Sequence, residues 1–377
     1  MKGIRGALAC VALSVLVAFG TAAAAEAHIA YVADRDDDAV IPFDTATGEV
    51  GEPIAVGDEP VGIAITPDGT RAYVANFNSG TVSVIDTSAN AVVATITVGM
   101  SPLYIAIAPD GQTAYVTHAD SDFVSVIDTQ SNTVTEEFSF GFPPAGVAVS
   151  PDGRYLYVAS STISEVAVYD LDPDGGIIIR MINLLGAFGI AFAPDGSSVY
   201  ITAQNGNYVA AVRTQDWFTS PISVATVPVA VAVTPDGETA YVANFAADSV
   251  SVIDTDSKSV VKTITVPDVP VSVAITPDGK TAYVYSAGEG TLTPIDTETN
   301  EASEPIEVAG PGIGFVAGMA ITPNQPPTAE FTADRHEAYP GEPVTFDVAP
   351  PTDDIGVESA RLSFGDGSFV KIGRAHV

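Results

Sequence analysis

The sequence predicts an all-β protein dominated by a seven-bladed β-propeller of four-stranded antiparallel blades. Three observations carry that prediction. A Pro-Asp-Gly triplet recurs at Pro67, Pro109, Pro151, Pro194, Pro235 and Pro277, with a degenerate Pro323-Asn324, at intervals of 42, 42, 43, 41, 42 and 46 residues. A tyrosine follows each full triplet at Tyr73, Tyr115, Tyr157, Tyr200, Tyr241 and Tyr283, with Tyr31 leading the series. The apolar content of 46% comes from Val, Ile and Ala, with only ten Leu, and Val and Ile favour pleated strands. Strand-length apolar runs and turn dipeptides exclude the helical solenoids that share this period.

The chain opens with Lys2 and Arg5, an apolar run from Ala7 to Phe19, then small residues and Ala25-Glu26-Ala27. That order reads residues 1–27 as a secretory signal peptide cleaved after Ala27, so the mature protein is expected to be secreted or at the cell surface. The apolar core of 13 residues is short of the roughly 20 that a spanning helix needs, so no transmembrane segment is expected in the mature chain. Cys10, the one cysteine, would leave with the leader, which removes disulfides and thiolate sites from consideration.

Residues 28–325 hold the propeller. In the unit from Val61 to Val98, Val61–Thr66 is a short apolar strand and Thr66-Pro67-Asp68-Gly69 a type I turn, with proline setting φ and glycine free to take φ > 0. Ala72–Asn76, Val82–Asp86 and Val92–Val98 supply three more strands. An acidic residue ends the third strand of most units, at Asp44, Asp86, Asp128, Asp170, Asp254 and Asp296, where its side chain can bond backbone amides ahead of it; Arg213 breaks the column. Small residues in the first strand, such as Gly62, Ala64, Gly146 and Ala148, fit strands crowded at a central channel. A single four-stranded sheet cannot cover both its faces, whereas seven stacked around an axis can. The phase predicts mixed-terminus closure: Ile29–Ala33 is a second strand lacking a first, and Phe315–Thr322 is a spare first strand to complete its blade.

Tyr73-Val-Ala-Asn76 with Val82-Ser-Val-Ile-Asp-Thr87, and Tyr241-Val-Ala-Asn244 with Val250-Ser-Val-Ile-Asp-Thr255, resemble YVTN-type β-propeller repeats, a family of archaeal surface-layer proteins and bacterial exported propellers. Blades four and five depart most from it. After Pro323, residues 326–371 carry Phe331, Gly341–Phe346 and Phe364-Gly-Asp-Gly367, which resemble a truncated polycystic-kidney-disease (PKD) domain, implying a partial immunoglobulin-like β-sandwich. Such sandwiches need about 100 residues, so the module is too short to close. Residues 372–377, Ile-Gly-Arg-Ala-His-Val, read as the in-frame translation of a sequencing-library adapter.

A net charge of −33 repels phosphates and argues against nucleic acid as a partner. The loops after the second strands begin at Asp34, Asn76, His118, Ser160, Ala203, Asn244 and Ser286, on the face where propellers commonly bind ligands. Candidate binding residues there are Asp34, Asp36, Asp37, Asp38, Asn76, Tyr104, His118 and Asn244. Asp34, Asp36 and Asp38 form a candidate calcium site, because hard cations take several oxygen ligands; a solvated acidic loop is the competing reading. No other cofactor is indicated. His118 is the only histidine within the body of the propeller, so a multi-histidine centre is not available.

No G-x-S-x-G elbow, H-E-x-x-H or phosphate loop occurs, and no catalytic residue is assigned. The residues therefore favour an exported, non-catalytic recognition or scaffold protein whose partner is an extracellular protein or cell-surface component. The alternative, resting on fold analogy, is a propeller enzyme of lactonase or quinoprotein type with its site at the central channel, for which Tyr104, His118 and Arg213 are the natural targets.

Overall fold

A computed structural model of the chain describes residues 14–19, 28–171, 176–312, 318–323, 331–333, 346–348, 357–363 and 369–372. The chain divides into two units, His28–Asn324 and a second made of Met1–Ala27 with Gln325–Val377. No α-helix occurs among the described residues; one 3-10 turn spans Gln204–Gly206.

The larger unit is a ring of seven antiparallel sheets. In the second blade, strands Pro60–Ile65, Arg71–Asn76, Thr81–Asp86 and Ala91–Thr97 run outward from the axis in sequence order. The turn chemistry is as the sequence predicts. Gly69 N–H closes the Pro-Asp-Gly turn onto Thr66 O at 2.7 Å, with Gly69 at φ 68°. Asp86 Oδ1 accepts the amides of Ser88 and Ala89, both at 3.0 Å. Thr87 Oγ1 then donates to Gly69 O at 2.6 Å and ties the two turns together, and Thr129, Thr214, Thr255 and Thr297 repeat that tie in later blades.

The first blade is assembled from both ends of the unit. Met319–Ile321 pairs with Ile29–Asp34, followed by Ala39–Asp44 and Ile54–Ala55. Tyr31 faces Ala320 in the register, and Thr322 N–H bonds Ile29 O at 2.9 Å. In the seventh blade the outer strand is split into Glu301–Ala302 and Ile306–Glu307, both pairing with Thr291–Asp296.

Burial lies between blades. One apolar cluster joins Tyr31, Ala33 and Val40 of the first blade to Ile63, Val74 and Ile85 of the second, and comparable clusters fill the other seams. The seam tyrosines are stapled to the next blade. Tyr31 Oη donates to Asn90 Oδ1 at 2.6 Å, Tyr73 to Asn132 at 2.8 Å and Tyr241 to Asn300 at 2.5 Å. Across the closing seam Tyr283 reaches Thr45 O at 3.2 Å. Burial pushes the phenols of Tyr31, Tyr73 and Tyr241 up to about 12, so they stay neutral donors.

In the smaller unit, Ser14–Phe19 pairs with Val357–Ser363, which pairs with Phe369–Ile372, and Phe331–Ala333 pairs with Phe346–Val348. The rest of the 1–27 leader, the Phe364-Gly-Asp-Gly367 signature and residues 373–377 of the adapter-like tail lie outside the described residues.

Candidate functional site

The innermost strands converge on the axis, and the equivalent position in six of them is small: the third strand residue at Gly62, Gly189, Ala230 and Ser272, and the residue just before the shorter strands at Gly146 and Gly318. The backbone geometry demands it. A Cβ on Gly62 would run into Leu103 O, one on Gly146 into Phe188 O, one on Gly189 into Val229 O and one on Gly318 into Val61 O. β-Bulges lie beside this position in several blades, between Pro60 and Ile63, Ala187 and Ile190, and Pro270 and Ser272.

Tyr104 occupies the same position in the third blade and is the one large side chain of the ring. Its ring meets Phe188 of the fifth blade edge-on, with centroids 5.5 Å apart, and both pack on an apolar cluster of Val61, Leu103, Ala145 and Val229. The backbone under Tyr104 is held by Thr117, whose Oγ1 accepts the Tyr104 amide at 3.0 Å. Burial raises the pKa of the phenol far above its ordinary value, and its hydroxyl bonds no group among the described residues. Tyr104 is therefore a neutral hydrogen-bond donor standing in a largely apolar channel.

The other candidates end the second strands rather than opening exposed loops. Asn76, His118 and Asn244 are fully buried, as are Ser160, Ala203 and Ser286 in the same column. Nδ1 of His118 lies 2.9 Å from Met100 O and Nε2 lies 2.8 Å from Ser125 Oγ. A carbonyl only accepts, so Nδ1 carries the proton and Nε2 takes the serine hydroxyl. Burial lowers the His118 pKa, and Phe123 packs on the ring at 4.6 Å. Ser160 makes the equivalent contact with Pro143 O at 2.8 Å, so this column latches second strands to the connections between blades. Asn76 and Asn244 donate to Ser83 and Ser251 at 2.9 and 3.0 Å, while their buried Oδ1 atoms have no partner.

The acidic loop is built as a turn. Asp34 is buried, and its Oδ1 accepts the amides of Asp36 and Asp37 at 3.2 and 3.3 Å. Asp38 Oδ1 instead accepts Glu59 N–H at 2.8 Å, and Asp36 and Asp37 are exposed. Desolvation raises the Asp34 pKa, the neighbouring Asp37 and Asp36 carboxylates adding to it against the turn amides. The carboxylates of Asp34, Asp36 and Asp38 are not drawn together, and among the described residues no group of three or more His, Cys, Asp or Glu converges to hold a metal. Arg213 keeps the turn function of the aspartate it replaces by pairing with Asp216 Oδ1 at 2.8 Å, and Asp216 accepts Phe218 N–H at 3.2 Å.

A family model described as a lactonase with a seven-bladed β-propeller matches residues 86–180 and 125–218. The chain is a seven-bladed β-propeller. No curated protein sequence matches it. Among solved structures, the propeller is similar to Kuenenia stuttgartiensis hydrazine synthase at 24% identity and a TM-score of 0.65, covering 71% of this chain and 92% of that one. It is also similar to proposed 6-phosphogluconolactonases of Bacteroides uniformis, at 16% identity and TM-score 0.66, and Bacteroides fragilis, at 18% and 0.65. Both alignments cover 78% of this chain, with 99% of the first structure and 98% of the second. At these identities the structures speak to the fold. The lactonase match within the propeller overturns the expectation of a non-catalytic scaffold, under which enzymatic activity was the less favoured reading. The absence of a linear catalytic motif misled that expectation, because a propeller gathers its channel residues from different blades.

The sequence drew Tyr104 out as a target without seeing its place on the axis. Trp217 was missed. Its signal was available: it is the one tryptophan of the chain, at a turn position that other blades give to Gly48, Asn90, Asn132 and Asn300.

Proposed function

We propose that this propeller is an enzyme of the lactonase type, hydrolysing a cyclic ester in the central channel beside Tyr104. The observation that carries the reading is the lactonase match across the second to fifth blades, the stretch that supplies Tyr104 and its partner Phe188. Hydrolysis adds water to the lactone carbonyl and breaks the ring C–O bond, with negative charge building on the carbonyl oxygen. A neutral phenol in an apolar setting is a suitable donor to that oxygen, because a hydrogen bond gains strength where water is excluded. The leader-like segment 1–27 supports a site of action outside the cytoplasm.

The test is hydrolysis of a panel of aldonolactones by the purified chain, followed by release of acid. Turnover is expected, with Tyr104→Phe lowering kcat by about 10²–10³-fold and leaving the fold intact. Absence of turnover across the panel overturns the reading.

A further inference from the structure

The seam between the fourth and fifth blades is built differently from the three that an asparagine closes. Where an asparagine closes a seam, the tyrosine hydroxyl donates, as Tyr31 does to Asn90 and Tyr73 to Asn132. Here the turn carries Trp217, and the side chains of Trp217 and buried Tyr157 line one cleft. An indole N–H only donates, so it cannot take the Tyr157 proton as the asparagines take those of Tyr31 and Tyr73. The Tyr157 proton has no acceptor among the described residues and is left for a group in the cleft that Tyr157 lines.

Trp217 also holds φ at 56°, in the left-handed region that Gly, Asn or Lys occupies at this position in other blades. A bulky aromatic is a true outlier there, and such outliers concentrate at ligand sites. Beside it opens a cavity of about 340 Å³, lined by Tyr155, Tyr157 and Trp217 together with Asp152, Asp195 and Gln215. Aromatic walls with a few directed polar groups, at this volume, are the usual make-up of a small-ligand pocket.

Charge decides the ligand class. Asp152 and Asp195 are ionised, their pKa values lowered by hydrogen bonds from Ser150 and from the Ser197 amide. Arg154 lies over the Tyr155 ring at 5.1 Å and Arg180 over Trp217 at 5.6 Å, so the two rings already carry cations and the local charges offset. An ammonium ligand would meet those guanidiniums, and an anion would meet the carboxylates. A neutral polyol with one apolar face meets neither objection.

We infer that this cleft binds a carbohydrate, a pyranose unit of a glycan. The sugar's C–H face packs on Trp217 and Tyr155, its hydroxyls donate to Asp152 and Asp195, and one sugar oxygen takes the unspent Tyr157 proton. The cleft is formed by the Pro-Asp-Gly and fifth-blade turns, at the blade end opposite the loops that follow Asn76 and His118. It is independent of the hydrolysis proposed at Tyr104.

Trp217 reports on the site directly, being the only tryptophan. The full chain is titrated with methyl β-D-glucopyranoside, methyl α-D-mannopyranoside, methyl β-D-galactopyranoside and N-acetylglucosamine while indole emission is followed. At least one should give a saturable change, weakened about tenfold by Asp195→Asn and by Tyr157→Phe, each the loss of one hydrogen bond to the ligand. Both variants should keep the parent melting midpoint, which separates lost binding from lost fold; if Tyr157→Phe melts early, the conservative Asp195→Asn and exposed Gln215→Ala carry the test. No saturable change with any of the four sugars overturns the proposal. So does a response that these substitutions leave untouched, or saturation by tetramethylammonium with none by sugars.

Discussion

Tyr73 and Asn132, 59 residues apart, meet across the seam between the second and third blades with Oη 2.8 Å from Oδ1. Asn132 is held at φ 53°, so one residue supplies both the acceptor and the left-handed turn that presents it. The same pairing joins Tyr31 to Asn90 and Tyr241 to Asn300.

Asn132→Ala should therefore destabilise the propeller twice over. It leaves the buried phenol only its longer contact with Thr129 O, at 3.2 Å, and puts alanine, less tolerant than asparagine of this conformation, at positive φ. A loss of about 1–3 kcal/mol is expected, read from urea or thermal unfolding. An unchanged midpoint would show that the seam is held by apolar packing alone.

The ring of small residues at the axis gives a second expectation. Gly62→Val drives a branched side chain into Leu103 O, and neither backbone can retreat because each is fixed by its own blade. Overpacking of this kind costs about 1–3 kcal/mol. Circular dichroism melts would reveal it as a lower midpoint with strand content kept.

Closure can be probed at Ala320, which lies opposite Tyr31. Proline there removes a ladder donor and cannot be accommodated inside a paired strand, at a cost of about 3 kcal/mol. Ala320→Pro should lower the melting midpoint more than the same change in the outer strand Ile54–Ala55, since only the former opens the ring. Equal effects would contradict a special role for the closing strand.

The buried carboxyl of Asp34 makes a prediction in pH. Its folded pKa is raised, chiefly by desolvation, so above its unfolded value the folded state gives up its proton less readily than the unfolded chain does. Ionisation of Asp34 thus subtracts stability at neutral pH, and the penalty vanishes as pH falls below the unfolded value near 3.8. Asn occupies the same column, buried, at Asn76 and Asn244, and an Asn at position 34 keeps an oxygen for the Asp36 and Asp37 amides without the charge. Asp34→Asn should raise the melting midpoint at pH 7, with the gain shrinking toward pH 4. A gain that is constant across that window would remove the desolvation account.

The fold was legible because its grammar is local and repeated. Proline, aspartate and glycine at Pro67–Gly69 determine one turn, Asp86 determines another, and the copies agree on where every strand begins. Even closure could be read, since Ile29–Asp34 lacked an inner strand that the far end supplied. The site was less legible for a physical reason. Asn76, His118 and Asn244 are polar residues beside loops, a pattern shared by exposed ligands and buried latches; only the connections packed over them distinguish the two. The four carboxylates from Asp34 to Asp38 looked like a cation loop, yet backbone amides claim Asp34 and Asp38. Tyr104 declares itself only when seven inner strands are aligned on the axis, and Trp217 only when it is set against Tyr157, which lines the same cleft.

The pairing of Ile29–Asp34 with Met319–Ile321 has a consequence for how the molecule comes into being. The first propeller strand to leave the ribosome is the one whose inner neighbour is the last propeller strand made, close to 290 residues later. Until then the nascent chain has a row of unmet amides on that first strand and no circle to complete, so the finished ring belongs to the period after synthesis. Any second copy of the chain that offers a free strand in that interval can pair with the open edge, so the order of synthesis makes the first blade the place where two such rings would exchange strands.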